Sequence, residues 1–177
     1  RHLEATHKET SRSLARLSSG QRVVNASDDA AGLAIGQNLH AEIRGLKQAQ
    51  RNANDGVSFV QTAEGALNEV SNILIRMREL GVQSASDTIG DGERALVDKE
   101  FNVLKAEIDR LSAVTNYNGR QLLDGSGGEL SFQVGARAGE AQVIHFHASD
   151  ANSSAASLGI NATGVGNRDD AVESLES

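Results

Sequence analysis

Few residues in this chain have the types and spacing that chemistry requires. His145 and His147 form a His-x-His pair in a segment of alternating polarity. On a strand both imidazoles would share one face and could hold a metal. No third ligand is apparent, so a solvated strand face accounts for them better. Asp28 and Asp29 are adjacent carboxylates with no histidine or third acid beside them. Their position ahead of an apolar-periodic run suits a helix N-cap instead. Gly125-Ser126-Gly127-Gly128 is glycine-rich, but no Gly-Lys-Ser/Thr follows, so it is a flexible turn and not a phosphate loop. None of His2, His7, His40, His145 and His147 stands in a His-Glu-x-x-His context. Asn161-Ala162-Thr163 fits a glycosylation sequon, a pattern that arises easily by chance. We read no catalytic residues, no metal site and no cofactor, and expect no enzymatic activity.

The elements that carry these residues point to packing as the chain's business. The 177 residues include no cysteine, proline or tryptophan, and aromatics are 3% of the chain. Disulfides and thiol chemistry are therefore excluded, and a thick core of large rings is too. The apolar supply is Ala, Leu, Val and Ile, which suits thin seams between helices. A net charge of −7 repels phosphate backbones and argues against nucleic acid. No apolar run is long enough to span a membrane. No signal peptide is visible, and the first residue is not Met. We expect the parent sequence to continue beyond both ends.

Residues 1–20 read as an amphipathic helix with a sparse stripe of Leu3, Leu14 and Leu17. Ser18-Ser19-Gly20 ends it, and a polar connector runs to residue 29. From Ala30 to about Ser86 the helical period hardly breaks. Ile35, Leu39, Ile43, Leu46, Ala53, Val57 and Val60 continue into two interleaved series, Val60/Leu67/Leu74 and Ala63/Val70/Met77. Each series steps by seven, giving the a and d positions of a heptad. A helix of that length is a rod of roughly 80 Å and must lie along partner helices. Its internal glycines mark either breaks or close backbone approaches. Residues 87–92 make a turn, with Asp91 placed to cap a second helix. There Val97, Phe101, Leu104, Ile108, Leu111 and Thr115 step 4, 3, 4, 3, 4. A short turn between two heptad helices predicts an antiparallel helical hairpin.

Beyond Thr115 the period changes. Asn116-Tyr117-Asn118-Gly119 is a turn signal. Leu130, Phe132 and Val134 alternate with polar residues, as do Ile144 and Phe146, predicting a β-hairpin. Residues 148–167, rich in Ser, Ala, Asn and Gly, read as a loop, and Asp169-Asp170-Ala171-Val172 as the start of a helix. The expected division is 1–29, terminal helix and connector; 30–115, rod hairpin; 116–147, turn and β-hairpin; 148–177, loop and helix start. The fold class is mainly α with a β-hairpin, an elongated antiparallel coiled-coil rod.

These segments resemble bacterial flagellin. The segments are RLSSGQRVVNASDDAAGLAI at 16–35, RNANDGVSFVQTAEGALNEV at 51–70, IRMRELGVQSAS at 75–86, NYNGRQLLDG at 116–125 and FQVGARAGE at 132–140. The likeness covers nearly all of residues 1–147. It implies a subunit of the extracellular flagellar filament, exported through the flagellar type III route with a chaperone. Its partners would be other flagellin subunits. The rod domain would be largely intact and its C-terminal strand of the bundle missing, so an isolated chain should not polymerise. A hook–filament junction protein of the same superfamily is the alternative. The resemblance further implies recognition by Toll-like receptor 5, through Arg76, Leu80, Gln83 and Glu100. The first three step by four and three along one helix face. Where the family has Gln before this Arg, the sequence has Ile75.

Overall fold

The computed structural model describes residues 2–175. Three helices dominate it: α1 (His2–Ser19), α2 (Ala30–Ala85) and α3 (Asp91–Val114). Two small antiparallel hairpins follow: β1 (Asn116–Tyr117) with β2 (Arg120–Gln121), and β3 (Glu129–Gln133) with β4 (Val143–His147). A short α4 (Arg168–Glu173) ends the described chain. The fold is mainly helical and elongated, as the heptads predict. The ends of the predicted first and last helices, Arg1 and residues 176–177, lie outside the described residues.

Helix α2 is a single unbroken element of 56 residues. Its start is fixed by Asp29, whose carboxylate accepts from the Gly32 amide at 2.9 Å, satisfying one orphan donor of the first turn. The glycines inside α2 are not breaks. Gly45 lies against Ala136, where an added Cβ would stand 3.1 Å from the Ala136 Cβ. Gly56 likewise faces the Phe132 ring at 3.4 Å. These two positions let the β3–β4 hairpin sit flat on the helix, and Arg137 reaches Glu42 at 2.9 Å to hold the hairpin's loop there.

Helix α3 folds back beside α2, as the short turn requires. Its cap differs from the expectation. Gly90 takes the N-cap position, and Asp91 is the first helical residue. Glu93 reaches back to accept from the Gly90 amide at 3.1 Å. That reach needs an acid three residues into the helix, and Glu93 has the spacing that Asp91 lacks.

The hydrophobic core forms two clusters along the rod. One gathers Val70, Met77 and Leu80 of α2, Phe101 and Ile108 of α3, and Ala155, Ile160, Val165 and Ala171 of the returning chain. The other gathers Phe59, Ala63, Leu122 and Leu123, with Tyr117, Phe132 and Phe146 packed round them. Phe59 contacts all three rings at centroid distances of 5.0–5.8 Å, edge-on or tilted. Rings are few, but four of the five meet at this one point.

Segment 148–167 is packed against the helices along its length. It is irregular after a 3-10 turn at Ala148–Ala151, yet Ala148, Ser153, Ala155, Ile160 and Val165 are buried. Its composition is that of a loop because it forms no ladder or long helix. Small residues spaced along it nevertheless fill the groove between α2 and α3. With no side chain larger than Ile or Leu in this segment, apolar periodicity could not reveal it.

Candidate interaction surface

The two predicted heptad series of α2 have different fates. Val70 and Met77 are buried, and so are Phe101 and Ile108 opposite them. Leu74, Val97, Leu104 and Leu111 are half-buried and pack against that cluster. Val60 and Leu67, by contrast, remain 48% and 38% exposed. Val60 and Leu67 are thus seam positions that no helix of this chain covers. α3 and the returning chain cover only part of the α2 circumference, and Val60 and Leu67 point away from both. With Ile35, Leu39, Ile43, Leu46 and Val57 they form an uncovered apolar stripe along α2. Leu3, Leu14 and Leu17 of α1 are exposed as well, and α1 buries no residue. Such a surface is larger than isolated apolar residues explain and marks an interaction site.

On another face, α2 and α3 are bridged by charge. The Arg76 guanidinium donates to the Glu100 carboxylate from Nη2 at 2.8 Å and Nε at 3.1 Å. It also donates to Glu79 from Nη1 at 3.0 Å. Hydrogen bonding to Glu100 first, then to Glu79, raises the Arg76 pKa above its ordinary value. All three side chains are about half exposed, so the network orients the arginine more than it stabilises the fold. Gln83 is exposed on the same side. Leu80 is not: it is 1% exposed and belongs to the core. One residue of the predicted recognition set is therefore corrected to core. A step of four along a helix keeps a residue near the same face only loosely, and Leu80 falls on the side that packs into the core cluster.

Asp29 caps α2, and Asp28 pairs with Arg16 of α1 at 3.4 Å across the connector. His145 Nδ1 lies 2.6 Å from Glu129 and 3.1 Å from the Ser131 hydroxyl, and its Nε2 lies 3.5 Å from Glu140. Among the described residues no group of three or more His, Cys, Asp or Glu is placed to hold a metal ion. Asp124 closes the glycine-rich turn by accepting from the Ser126 amide at 2.9 Å and hydroxyl at 2.7 Å. These bonds, the hydroxyl's first, lower the Asp124 pKa.

Sequence reasoning missed the polar residues that hold the returning chain. Asp98 accepts from the Val165 amide at 3.0 Å. Lys105 donates to the carbonyls of Asn161 and Thr163 at 3.1 and 3.0 Å. Asp109 accepts from the Ala155 amide at 2.8 Å, and buried Ser112 donates to the Leu123 carbonyl at 2.6 Å. Asp98, Lys105 and Ser112 stand seven apart, each one residue beyond the seam positions 97, 104 and 111. That spacing was the available signal. Arg94 was missed as well. It is buried, and its guanidinium donates to the carbonyls of Ser84 in the last turn of α2, Ser86 at its C-cap and Ile89 in the turn beyond. It thereby satisfies acceptors that the helix leaves open and sits at the negative end of its dipole.

The model of the bacterial flagellin N-terminal helical region matches residues 1–127. The chain belongs to the bacterial flagellin family. It is 50% identical over 144 residues to flagellin A of Vibrio anguillarum, covering 81% of this chain and 38% of that one. It is 47% identical over 159 residues to the B-type flagellin of Pseudomonas aeruginosa, covering 90% of this chain and 32% of the other. The chain thus spans about two fifths or less of the length of the curated flagellins it matches. Among solved structures, the Bacillus cereus flagellin crystal structure superposes with a TM-score of 0.62 at 31% identity, covering 72% of each chain. FliC from Burkholderia pseudomallei gives 0.52 at 38% identity, covering 57% of this chain and 38% of that one. The flagellin neighbours are consistent with the mainly helical rod.

Proposed function

We propose that this chain is the rod-forming part of a flagellar filament subunit, an extracellular structural protein that works by polymerising with its own kind. The observation that carries this reading is the uncovered stripe Ile35, Leu39, Ile43, Leu46, Val57, Val60 and Leu67 along α2, in a chain of the flagellin family. A stripe at heptad spacing calls for a helix laid alongside. α4 runs beside the C-terminal end of α2, with Ser174 and Leu175 against Gly81. Polypeptide continuing from α4 would therefore run back along α2 and cover the stripe, leaving α1 for contacts between subunits. Delivery through the flagellar type III route with an export chaperone accords with this reading. The test is electron microscopy of the full-length parent after export. Filaments are expected, and an exported parent that stays monomeric at every concentration would remove the reading.

Recognition by Toll-like receptor 5 is a second reading, favoured by the exposed Arg76–Glu100–Glu79 network and Gln83 on one outward face. An arginine held by neighbouring carboxylates is pre-oriented for an interface. Arg76→Ala in the full-length parent is expected to weaken signalling in receptor-reporter cells about tenfold or more. Equal potency of mutant and parent would exclude this face as the contact.

A further inference from the structure

Asn118 and Gly119 are the two unpaired residues between β1 and β2, whose register is Asn116↔Gln121 and Tyr117↔Arg120. Their φ values are +51° and +79°, the pair of left-handed conformations that a two-residue hairpin loop of this type demands. Asn118 is the one non-glycine residue with positive φ among the described residues, and the one asparagine of the sequence followed by glycine. It is exposed. Among the described residues its carboxamide has no hydrogen-bond partner. Gly119 is exposed too, and nothing lies within 4 Å of where its Cβ would stand. Nearby Asn116 differs in each respect: its carboxamide donates to the Val114 carbonyl at 2.9 Å, and tyrosine follows it.

We propose that Asn118 is a site of spontaneous backbone rearrangement, and that its conversion undoes the hairpin that seats Leu122 and Leu123. The Gly119 main-chain nitrogen attacks Asn118 Cγ. The new N–Cγ bond forms as the Cγ–Nδ2 bond breaks, and the carboxamide nitrogen leaves as ammonia with the proton lost from the Gly119 amide. Solvent water then opens the cyclic imide at either carbonyl. Opening at Cγ leaves aspartate; opening at the main-chain carbonyl leaves isoaspartate, with the chain now routed through the side-chain carbon. No electron transfer is involved. Left-handed φ at Asn118 is a poor starting geometry for the attack, so reaction proceeds through transient opening of the two-residue ladder.

The consequence follows from how little slack the turn has. An extra main-chain atom in a two-residue loop cannot keep Tyr117 opposite Arg120. Immediately downstream, the Leu122 amide donates to the Thr115 carbonyl at 3.1 Å, and Ser112 holds the Leu123 carbonyl at 2.6 Å. Both leucines are fully buried against Phe59 and Ala63, so a shift of register there opens the aromatic cluster.

The experiment is incubation of the 177-residue chain in mildly alkaline buffer, followed by peptide mapping for isoaspartate and comparison of thermal unfolding before and after. Conversion at Asn118 is expected on the order of tenfold faster than at any other asparagine. The converted fraction should melt several degrees lower. Asn118→Gly, which suits the same turn, should fold and lose the isoaspartate signal. Isoaspartate spread evenly over the asparagines, or persisting in Asn118→Gly, would overturn the site. Conversion at Asn118 with an unchanged melting midpoint would overturn its link to the core.

Discussion

The two ends of α2 share one heptad pattern and have opposite surroundings. From Phe59 onward the helix buries Phe59, Ala63, Val70, Met77, Leu80 and Ser84. From Ala30 to Ser58 it buries only Ala49, while Ile35, Leu39, Ile43, Leu46 and Val57 face outward. Nothing in residue type separates the two stretches, since both carry Leu, Ile and Val at the same spacing. What separates them is which part of the groove the returning chain fills. The periodicity of a helix therefore states that a partner is needed and along which side, while the identity and timing of that partner lie elsewhere in the chain.

The sharpest way to break the comparison is paired truncation. Ile108→Ala, on α3 at a fully buried site packed against the covered half of α2, is expected to lower stability by about 2–5 kcal/mol. Ile43→Ala in the uncovered half should change it by less than about 0.5 kcal/mol. Urea unfolding of both variants decides; equal losses would mean that the uncovered half is not uncovered in solution.

Next in size is the buried guanidinium that ends the helix. Arg94→Ala removes the guanidinium from the carbonyls of Ser84, Ser86 and Ile89 and is expected to cost about 2–3 kcal/mol. Amide exchange should quicken selectively over the last turns of α2. Arg94→Lys, with the charge but not the planar fork, should recover part of the loss, and a full recovery would mean that charge alone is what matters there.

The smallest effect is on pH. The Asp124 pKa lies below its ordinary value of 3.8 through its bonds to Ser126. A depressed carboxylate contributes stability above the unfolded value, and that contribution is lost as pH falls through the folded value. Acid titration of unfolding should therefore show a small loss below the usual carboxylate range that is absent in Asp124→Asn. An identical acid profile in the variant would show that this turn does not report on the fold. The sequence-distant half of α2 should be indifferent to it.

Much of this architecture was legible because it repeats. The 3,4 steps of Val97 to Leu111 and the sevens of α2 name the helices and the side they bury, and alternation at Leu130–Phe132 and Ile144–Phe146 names the second hairpin. Segment 148–167 was illegible for a physical reason: it contributes small, aperiodic residues to a groove it did not build. The outward face was partly legible. Arg76 and Glu100 meet across the two helices, a contact their spacing alone did not announce, while Leu80 lies in the core cluster. Asp98, Lys105 and Ser112 look like ordinary surface residues until the backbone they hold is in place.

The grip of α3 on residues 155–165 also fixes the order in which the molecule can finish folding. Val165 meets Asp98 across 67 positions of chain, and Ser84 meets the Val165 carbonyl across 81. Closure over such separations is slow compared with helix formation. A ribosome or a narrow channel releasing this polypeptide from its first residue onward therefore emits two helices long before it emits what glues them. Until residues 155–165 emerge and dock, the nascent rod stays pliable enough to be threaded, and it sets hard only once they are held.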